Sequence, residues 1–259
     1  MTATETDPSR AGVMDASYAD GRGTKLHLSF RYRVRALVAV QGYLHHHPVP
    51  RTEIDVLEMG AAEGRTLLHM REVLGLPGRY RGVEYAEDLI ARAPNLPEDT
   101  SLLQGDVMNL PEEIEAERAD LCTALAVLEH LTDPLACVKE AFRALKPGGV
   151  FVATCPNPFW DEIAGAFGLV ADEHHEVEVT GAHMVDLARQ AGFADVEFTP
   201  FMWVATGALP YLGVALDPAL SLHIDRIVAK LGVLDFSFVN QALVARKPPA
   251  HPSPSLRSG

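Results

Sequence analysis

The stretch "DVLEMGAAEGRTLLHM", residues 55–70, predicts how the fold begins. An apolar strand reaches the acidic residue Glu58, and a helical pattern follows a turn that contains Gly60, Ala62 and Gly64. Small residues spaced two apart at a strand-to-helix turn let the backbone approach a ligand closely. In an open parallel sheet such a turn lies beyond the carboxyl ends of the strands, where ligands bind. The sequence therefore predicts a ligand site at this turn.

The composition limits the class of protein. The chain has 259 residues, of which 47% are hydrophobic, so it can form a sizeable core and fits one large α/β domain. Its formal net charge is −13, whereas nucleic-acid-binding proteins usually carry positive charge over a large face. We therefore expect no nucleic-acid partner.

Three features predict a soluble, cytoplasmic protein. The cysteines Cys122, Cys137 and Cys155 show neither a disulfide framework nor metal-ligand spacing, which is typical of a reducing compartment. The first ten residues are polar and do not resemble a signal peptide. The apolar run at 201–216 is too short, and too interrupted by Gly and Pro, to span a membrane.

From residue 54 onward, strand patterns alternate with helix patterns. Strands are predicted at 54–58, 80–84, 101–104, 119–125, 149–155, 195–200 and 236–247. Helices are predicted at 65–74, 86–93, 111–117, 134–145, 180–191 and 217–232. This alternation predicts a parallel sheet with helices on both faces.

A helix is predicted before this unit, at residues 25–45. One of its faces is apolar and consists of Leu26, Phe30, Val34, Leu37 and Leu44. The basic residues Arg31, Arg33 and Arg35 are expected to point mostly away from that face, as a solvated surface or as a guide for an acidic acceptor. Pro48 ends the helix.

The same patterns predict the domain organisation. Residues 1–52 would form a leader and a helical cap, and residues 53–247 a ligand-binding domain. That domain would carry a helical insertion at about 201–233. Residues 248–259 are rich in Pro and Ser and are expected to be a disordered tail.

The charges of the first turn favour one class of cofactor. A dinucleotide is usually bound through a GxGxxG turn, which brings a helix N-terminus to the pyrophosphate. This turn instead reads Gly60-x-Ala62-x-Gly64, and Glu63 within it would repel a pyrophosphate. Glu58 adds a second carboxylate. These charges suit a ligand with an ammonium and a sulfonium better than one with two phosphates.

Four segments carry, in order, a resemblance to a known family. They are "VLEMGAAEG" at 56–64, "YRGVEYAEDLIARA" at 80–93, "LLQGDVMNLP" at 102–111, and residues 119–158 with "VLEHL". Together they resemble the Rossmann-like S-adenosylmethionine-dependent methyltransferases, and "VLEHL" is similar to the subgroup of ubiquinone-biosynthesis and small-molecule methyltransferases. The resemblance implies a doubly wound, seven-stranded, mostly parallel α/β sheet with an antiparallel last strand. An N-terminal helix and a helical insertion before that strand would complete the fold.

The resemblance also implies a cofactor site for S-adenosylmethionine, with S-adenosylhomocysteine as the product. Glu84 would bind both ribose hydroxyls, Asp106 the exocyclic amine of adenine, and Glu58 would lie near the methionine moiety. Ala62 replaces the middle glycine of the motif, which is tolerable if its backbone keeps a negative φ. The implied cofactor-binding residues are Glu58, Gly60, Ala62, Gly64, Glu84, Tyr85, Asp106, Val107, Ala124 and Leu125.

Each acidic residue also has a structural alternative. Glu84 could be an exposed acid at a strand end, and Asp106 could be a turn residue after Gly105. Glu58 could pair with an N-terminal arginine instead of facing the cofactor.

Histidines are the candidate catalytic residues. His130 lies just past the fourth strand, where it could act as a general base for a hydroxyl or only order the loop through a backbone hydrogen bond. His174 and His175 lie in a predicted loop, 156–179, that could fold over the acceptor, although adjacent histidines are also common in exposed loops. No metal site is expected, because consecutive histidines at 45–47 do not easily face one ion.

The expected function is transfer of a methyl group to a small, fairly apolar acceptor, with oxygen as the expected site of methylation. A helix face made of Leu220, Ile224, Ile227 and Leu231 is expected to cover the acceptor pocket, or to form a homodimer interface. A non-catalytic domain that binds the cofactor is one alternative. A nicotinamide-dependent oxidoreductase is another, although the spacing of the turn counts against it.

Overall fold

The computed structural model describes residues 14, 16–49, 51–160, 179–231 and 235–250. Its centre is a seven-stranded sheet in the order β3-β2-β1-β4-β5-β7-β6. The strands are β1 (Ile54–Met59), β2 (Gly78–Glu84), β3 (Thr100–Gln104), β4 (Ala119–Leu125), β5 (Leu145–Pro156), β6 (Ala194–Trp203) and β7 (Phe238–Arg246). Of these seven strands, β7 alone runs in the opposite direction to the others, as predicted.

Helices pack on both faces of the sheet. They are α1 (Leu26–His46), α2 (Arg65–Leu74), α3 (Glu87–Ile90), α4 (Pro134–Ala144), α5 (Gly181–Ala191), α6 (Val204–Ala208) and α7 (Pro218–Lys230). Helices α1 and α2 share one core with Val56 and Leu121, whereas α4 and α5 share the other with Leu57 and Cys122. Successive side chains of a strand point to opposite faces of the sheet, and helices cover both faces here. The central strands are therefore mainly apolar along their length.

The strand order reverses at β1, and this reversal positions the site. The chain passes from β1 to β2 and β3 on one side, and then crosses over so that β4 and β5 lie on the other side. Both β2 and β4 are hydrogen-bonded to β1 in parallel register. Their carboxyl ends therefore diverge around a crevice, which is where sheets of this kind bind ligands.

The helix predicted at 111–117 does not form, and the segment consists of turns. Ile114 is buried, but the carbonyls a helix would use are taken by side chains from elsewhere. Arg81 donates to the carbonyl of Glu113 at 3.1 Å, and Arg143 donates to that of Ile114 at 2.9 Å. A helix this short is not stable on its own, so these tertiary hydrogen bonds decide the conformation.

Several element boundaries also differ from the prediction. Strand β5 begins at Leu145 rather than at residue 149, because the segment "LKPG" already follows the edge of β4. Strand β7 begins at Phe238, after a 3-10 turn over Asp235–Ser237. Helix α3 is a single turn.

The insertion before β7 packs through a different face from the one predicted. Leu220, Ile227 and Leu231 are 50%, 47% and 75% exposed. The buried residues of α7 are instead Ser221, Leu222, Asp225 and Val228. An apolar stripe in the sequence was a misleading guide here because a buried carboxylate, Asp225, determines the orientation of the helix.

Asp225 holds the end of β6 in an unusual conformation. Its Oδ2 accepts a hydrogen bond from the backbone N–H of Met202 at 2.7 Å, and its Oδ1 accepts one from Trp203 at 2.9 Å. Met202 has a φ of +61°, which is unfavourable for a residue with a side chain. Burial raises the pKa of Asp225, and the two backbone hydrogen bonds act in the opposite direction.

We expect Asp225→Ala to lower the free energy of unfolding by about 2–4 kcal/mol, because it removes two hydrogen bonds to a carboxylate and leaves backbone donors unsatisfied. Urea unfolding monitored by circular dichroism measures this loss. The matched control is Lys230→Ala on the exposed side of the same helix, which should change stability by less than about 0.5 kcal/mol. Equal effects of the two substitutions would contradict the proposed role of Asp225.

Candidate active site

A cavity opens at the carboxyl ends of three neighbouring strands. It is lined by Glu58 and Gly60 at the end of β1, by Glu84 and Tyr85 at the end of β2, and by Leu125 at the end of β4. The crevice created by the strand reversal is therefore the place where the sequence predicted a ligand site.

The turn after β1 is shaped by residues with positive φ. Gly60 has a φ of +72°, and a Cβ at this position would lie 2.5 Å from Cγ2 of Val127. Ala62 has a φ of +47°, so the condition under which a methyl group is easily tolerated here, a negative φ, is not met. This conformation costs an alanine about 1–2 kcal/mol. A hydrogen bond from the Ala62 N–H to Oε2 of Glu84, at 2.8 Å, holds it in place.

Glu84 connects this turn to the cavity. Besides Ala62, it binds the backbone N–H of Ala86 through Oε1 at 2.9 Å, and its side chain is among those that line the cavity. Each carboxylate oxygen can accept a second hydrogen bond. Glu84 is thus able to hold the turn and to bind two hydroxyl groups of a ligand at the same time.

Asp106 both stabilises a turn and lines the cavity. Its Oδ1 accepts a hydrogen bond from the backbone N–H of Met108 at 2.8 Å, which is the geometry of an Asx turn. It also lines the cavity together with the buried Val107. The turn therefore presents the acid to the cavity.

Glu58 is a buried acid beside the same turn. Only 2% of the residue is exposed, and its Oε2 has no hydrogen-bond partner in the part of the chain that the structure describes. Burial raises the pKa of Glu58 well above its usual value, while the nearby Arg22 acts in the opposite direction. A buried carboxylate with an unused oxygen is suited to a cationic ligand group.

Glu63 does not line the cavity. Its Oε1 lies 2.9 Å from Nε of Arg22 and 3.4 Å from Nε of Arg65, and the side chain is 1% exposed. The expected repulsion of a pyrophosphate by Glu63 is therefore weakened by two arginines. The acidic charge at the cavity itself comes from Glu58, Glu84 and Asp106.

Two residues of the implied cofactor set lie elsewhere. Gly64 begins α2 with a φ of +79°, and a Cβ there would contact Leu102 rather than the cavity. Ala124 is fully buried in the core that α4 and α5 share with the sheet. The residues that follow it in the chain, Ala126 and Val127, line the cavity in addition to Leu125.

A second cavity adjoins the first, and His130 lines both. His130 ends a 3-10 turn that includes Leu128 and Glu129, and its N–H donates to the carbonyl of Val127 at 3.0 Å. The backbone hydrogen bond and the position at the cavity are thus both present. His174 and His175 lie outside the described residues.

The N-terminal region contributes more to the site than the sequence suggested. Met14, Tyr18 and Arg22, which the sequence placed in or next to a loose leader, line both cavities. Arg35 of α1 is 6% exposed and also lines both, so the expectation that the basic run points mostly outward is wrong for this residue. Of Arg31, Arg33 and Arg35, only Arg33 is exposed. A tyrosine and an arginine near residue 20, Tyr18 and Arg22, are the signal that could have revealed this.

The insertion was expected to cover the acceptor pocket through α7. Within the described residues, neither α6 nor α7 lines either cavity. The insertion packs against α1 instead, where Leu222 meets Phe30 and Val34. Among the described residues, Met14, Tyr18 and Arg22 from the segment before α1 line both cavities instead.

Comparison with known proteins agrees with this geometry. Residues 57–153 match the family described as "Methyltransferase domain". They contain the turn after β1, the strands β2 and β4, and three residues that line the second cavity, Ala126, Glu129 and His130. These residues form a methyltransferase domain. The match begins and ends within the sheet, so it covers the cofactor crevice but not α1 or the insertion.

Curated relatives of the methyltransferase domain act in several roles. A probable S-adenosylmethionine-dependent methyltransferase of Mycolicibacterium smegmatis is 30% identical over 56% of this chain and 53% of its own length. A ubiquinone biosynthesis O-methyltransferase of Hydrogenovibrio crunogenus is 28% identical over 48% of this chain and 59% of its own. The chain thus spans about half the length of the curated relatives it matches.

Solved structures share the fold over most of the chain. A Haloferax volcanii complex of the Trm112 methyltransferase activator with a methyltransferase has a TM-score of 0.60 at 20% identity, covering 92% of this chain and 96% of that one. Phosphoethanolamine N-methyltransferase 2 of Haemonchus contortus, solved with S-adenosylmethionine, has a TM-score of 0.58 at 15% identity, covering 92% and 61%. The [4+2]-cyclase SpnF has a TM-score of 0.53 at 17% identity, covering 81% and 80%. The fold alone therefore does not name the reaction.

S-adenosylmethionine, the cofactor of this family, fits the residues at the crevice of the methyltransferase domain. The unused Oε2 of Glu58 suits its ammonium group, and the two oxygens of Glu84 suit its ribose hydroxyls. Asp106 and Val107 would hold the adenine. In the part of the chain that the structure describes, no helix is long and apolar enough to cross a membrane, and no cluster of ligating side chains could hold a metal ion.

Proposed function

We propose that the protein transfers a methyl group from S-adenosylmethionine to an oxygen atom of a small, mainly apolar acceptor. The observation that carries this proposal is the pair of adjoining cavities that share His130, one lined by the cofactor residues and one by α1 and the N-terminal residues. A cofactor pocket that shares lining residues with a second cavity has room beside it for an acceptor. The three buried cysteines form no disulfide bond, in keeping with action in the cytoplasm.

The chain's own residues would act mainly by positioning. When bound, the cofactor supplies a methyl group on a positively charged sulfur, which an acceptor oxygen attacks in line with the leaving sulfur. Holding the two reactants in that alignment can supply most of the rate enhancement. Val127 and Leu131 present apolar surface to the first cavity, and Tyr18 and Met14 close it from the N-terminal side. These side chains would exclude water from the acceptor.

His130 would accept the proton of the acceptor hydroxyl. It lies where the two cavities meet, so it is within reach of a group that enters the second cavity and points toward the first. The Hydrogenovibrio relative is named as an O-methyltransferase, which supports oxygen as the acceptor atom. A deprotonated oxygen is the stronger nucleophile, so a neighbouring base would assist the reaction.

The test has a binding part and a turnover part. We expect S-adenosylmethionine and S-adenosylhomocysteine to raise the melting temperature of the protein by mass action, and NAD and NADP to leave it unchanged. Radioactive methyl transfer from labelled S-adenosylmethionine is then measured against a panel of small phenols, alcohols and amines. Turnover of hydroxyl compounds supports the proposal. Cofactor binding without turnover of any compound favours a non-catalytic domain, and a response to NAD or NADP favours an oxidoreductase.

A further inference from the structure

Arg35 is a buried cation with an unused hydrogen-bond donor. It is 6% exposed, and its Nε is buried with no hydrogen-bond acceptor in the described part of the chain. Burial and the neighbouring Arg31 lower the pKa of Arg35, whereas Tyr18 and Glu129 act in the opposite direction. A buried charge is stabilised when an anion pairs with it. Arg35 lines both cavities, so an anionic group of a ligand can approach it from either one.

Arginines are concentrated around the second cavity. Arg22, Arg31 and Arg35 line it, and Glu129 is the one acid among its described lining residues. Arginines thus outnumber acids at this cavity, in a chain whose formal net charge is −13. This local concentration of arginine favours an anionic ligand.

We propose that the methyl acceptor carries an anionic group, a carboxylate or a phosphate, and that Arg35 binds this group. The inference deepens the proposed function and rests on it. The planar guanidinium of arginine can bind a carboxylate or phosphate through two parallel hydrogen bonds. Arg31 lies one helical turn before Arg35 and lines the second cavity, so its charge adds to the attraction.

The rest of the second cavity fits an apolar body on the same acceptor. Met14, Leu28 and the rings of Tyr18 and Tyr32 line it next to the arginines. An anion bound at Arg35 would place the rest of such a molecule between these side chains and His130. The acceptor class is thus an aromatic or aliphatic acid with a hydroxyl group away from its charge.

The cofactor's own carboxylate is the other possible source of this anion. Arg22 is better placed for it, because its Nη2 donates to Oγ1 of Thr66 at 3.4 Å, in the first turn of α2 and beside the cofactor residues. Arg35 lies farther along α1, at the junction with the second cavity, and Arg31 lines only that cavity. This arrangement assigns Arg22 to the cofactor side and Arg35 to the acceptor side.

Benzoate, which combines a carboxylate with an apolar ring, is a suitable probe, and benzamide is its neutral counterpart. We expect benzoate, but not benzamide, to raise the melting temperature of the protein saturated with S-adenosylhomocysteine. Arg35→Met should weaken benzoate binding by about tenfold or more, the range for hydrogen bonds to charged groups. The matched control is Arg33→Met, at an exposed position of the same helix, which should leave the response unchanged. If Arg35→Met does not fold, Arg35→Lys serves, because it loses the two parallel hydrogen bonds and should also bind benzoate more weakly.

Further measurements separate the rival explanations. The wild-type protein and the Arg35 variant are titrated with S-adenosylhomocysteine and with 5′-methylthioadenosine, which lacks the amino-acid part. Equal affinities in both proteins support the acceptor role, whereas a loss confined to S-adenosylhomocysteine assigns Arg35 to the cofactor carboxylate and overturns the inference. Equal benzoate responses in wild type and variant, or no response in wild type, also overturn it. Failure of the wild-type protein to bind S-adenosylhomocysteine would instead refute the proposed function.

Discussion

Glu84→Ala is expected to raise the dissociation constant of S-adenosylmethionine by about 100-fold or more. Both oxygens of Glu84 point to backbone N–H groups at the cofactor crevice and can each accept one more hydrogen bond from a ribose hydroxyl. Hydrogen bonds to a charged group contribute about 1.5–3 kcal/mol each, so loss of two exceeds a factor of 100 in affinity. Isothermal titration calorimetry of the variant and the wild type measures the change directly.

Glu84→Ala is also expected to lower the stability of the unliganded protein. Glu84 holds Ala62 at its positive φ, so its removal also frees the turn after β1. We therefore expect the unliganded variant to be less stable by about 1–3 kcal/mol, the cost of leaving buried donors unsatisfied. Glu84→Gln should show a smaller loss of affinity, because its amide oxygen can still accept from one of the two N–H groups.

A matched control separates the loss of a residue of the site from the loss of any acidic residue in this region. Glu87 lies three residues later, in the first turn of α3, and is exposed. Glu87→Ala should leave the dissociation constant within about twofold, because surface substitutions away from a site have small effects. If Glu84→Ala is folded at the temperature of the titration and binds the cofactor as wild type does, Glu84 is not part of the cofactor site.

The sequence was informative where acidic residues fall at the ends of predicted strands. Glu58, Glu84 and Asp106 each lie at or just after the end of a predicted strand, so their meeting at one edge of the sheet could be inferred from the order of the strands. Parallel strands place their carboxyl ends together, and this geometry does not depend on details of packing. The positive φ of Ala62 could not be inferred, because it is held by a hydrogen bond that the Ala62 N–H donates to Glu84, 22 positions away.

The sequence was misleading where tertiary contacts override local pattern. Helix α7 shows an apolar stripe, but the carboxylate of Asp225 is needed at the end of β6 and turns that stripe toward solvent. Arg35 is a comparable case, since a basic residue in a basic run is expected at the surface. It lines two cavities together with Tyr18 from the segment before α1, and this tertiary arrangement is not visible in the local sequence pattern.

His130→Ala is expected to lower kcat by about 100-fold or more, the usual contribution of a general base, while the affinity for S-adenosylmethionine stays within about threefold. His130 lines both cavities and is therefore at the border between cofactor and acceptor. The measurement is steady-state methyl transfer to whichever hydroxyl compound the acceptor panel identifies. His223→Ala, at an exposed position of α7, is the control and should have no effect on kcat.

The acidity of the acceptor separates a base from a residue that only orders the loop. A phenol with electron-withdrawing substituents loses its proton without assistance, so it depends less on a general base than an unsubstituted phenol does. If His130 accepts the proton, the loss of kcat in His130→Ala should shrink as the acceptor becomes more acidic. If His130 only orders the 3-10 turn over Leu128–His130, every acceptor should lose the same factor. A loss below about threefold for all acceptors, with a folded variant, would leave positioning and exclusion of water as the main source of catalysis.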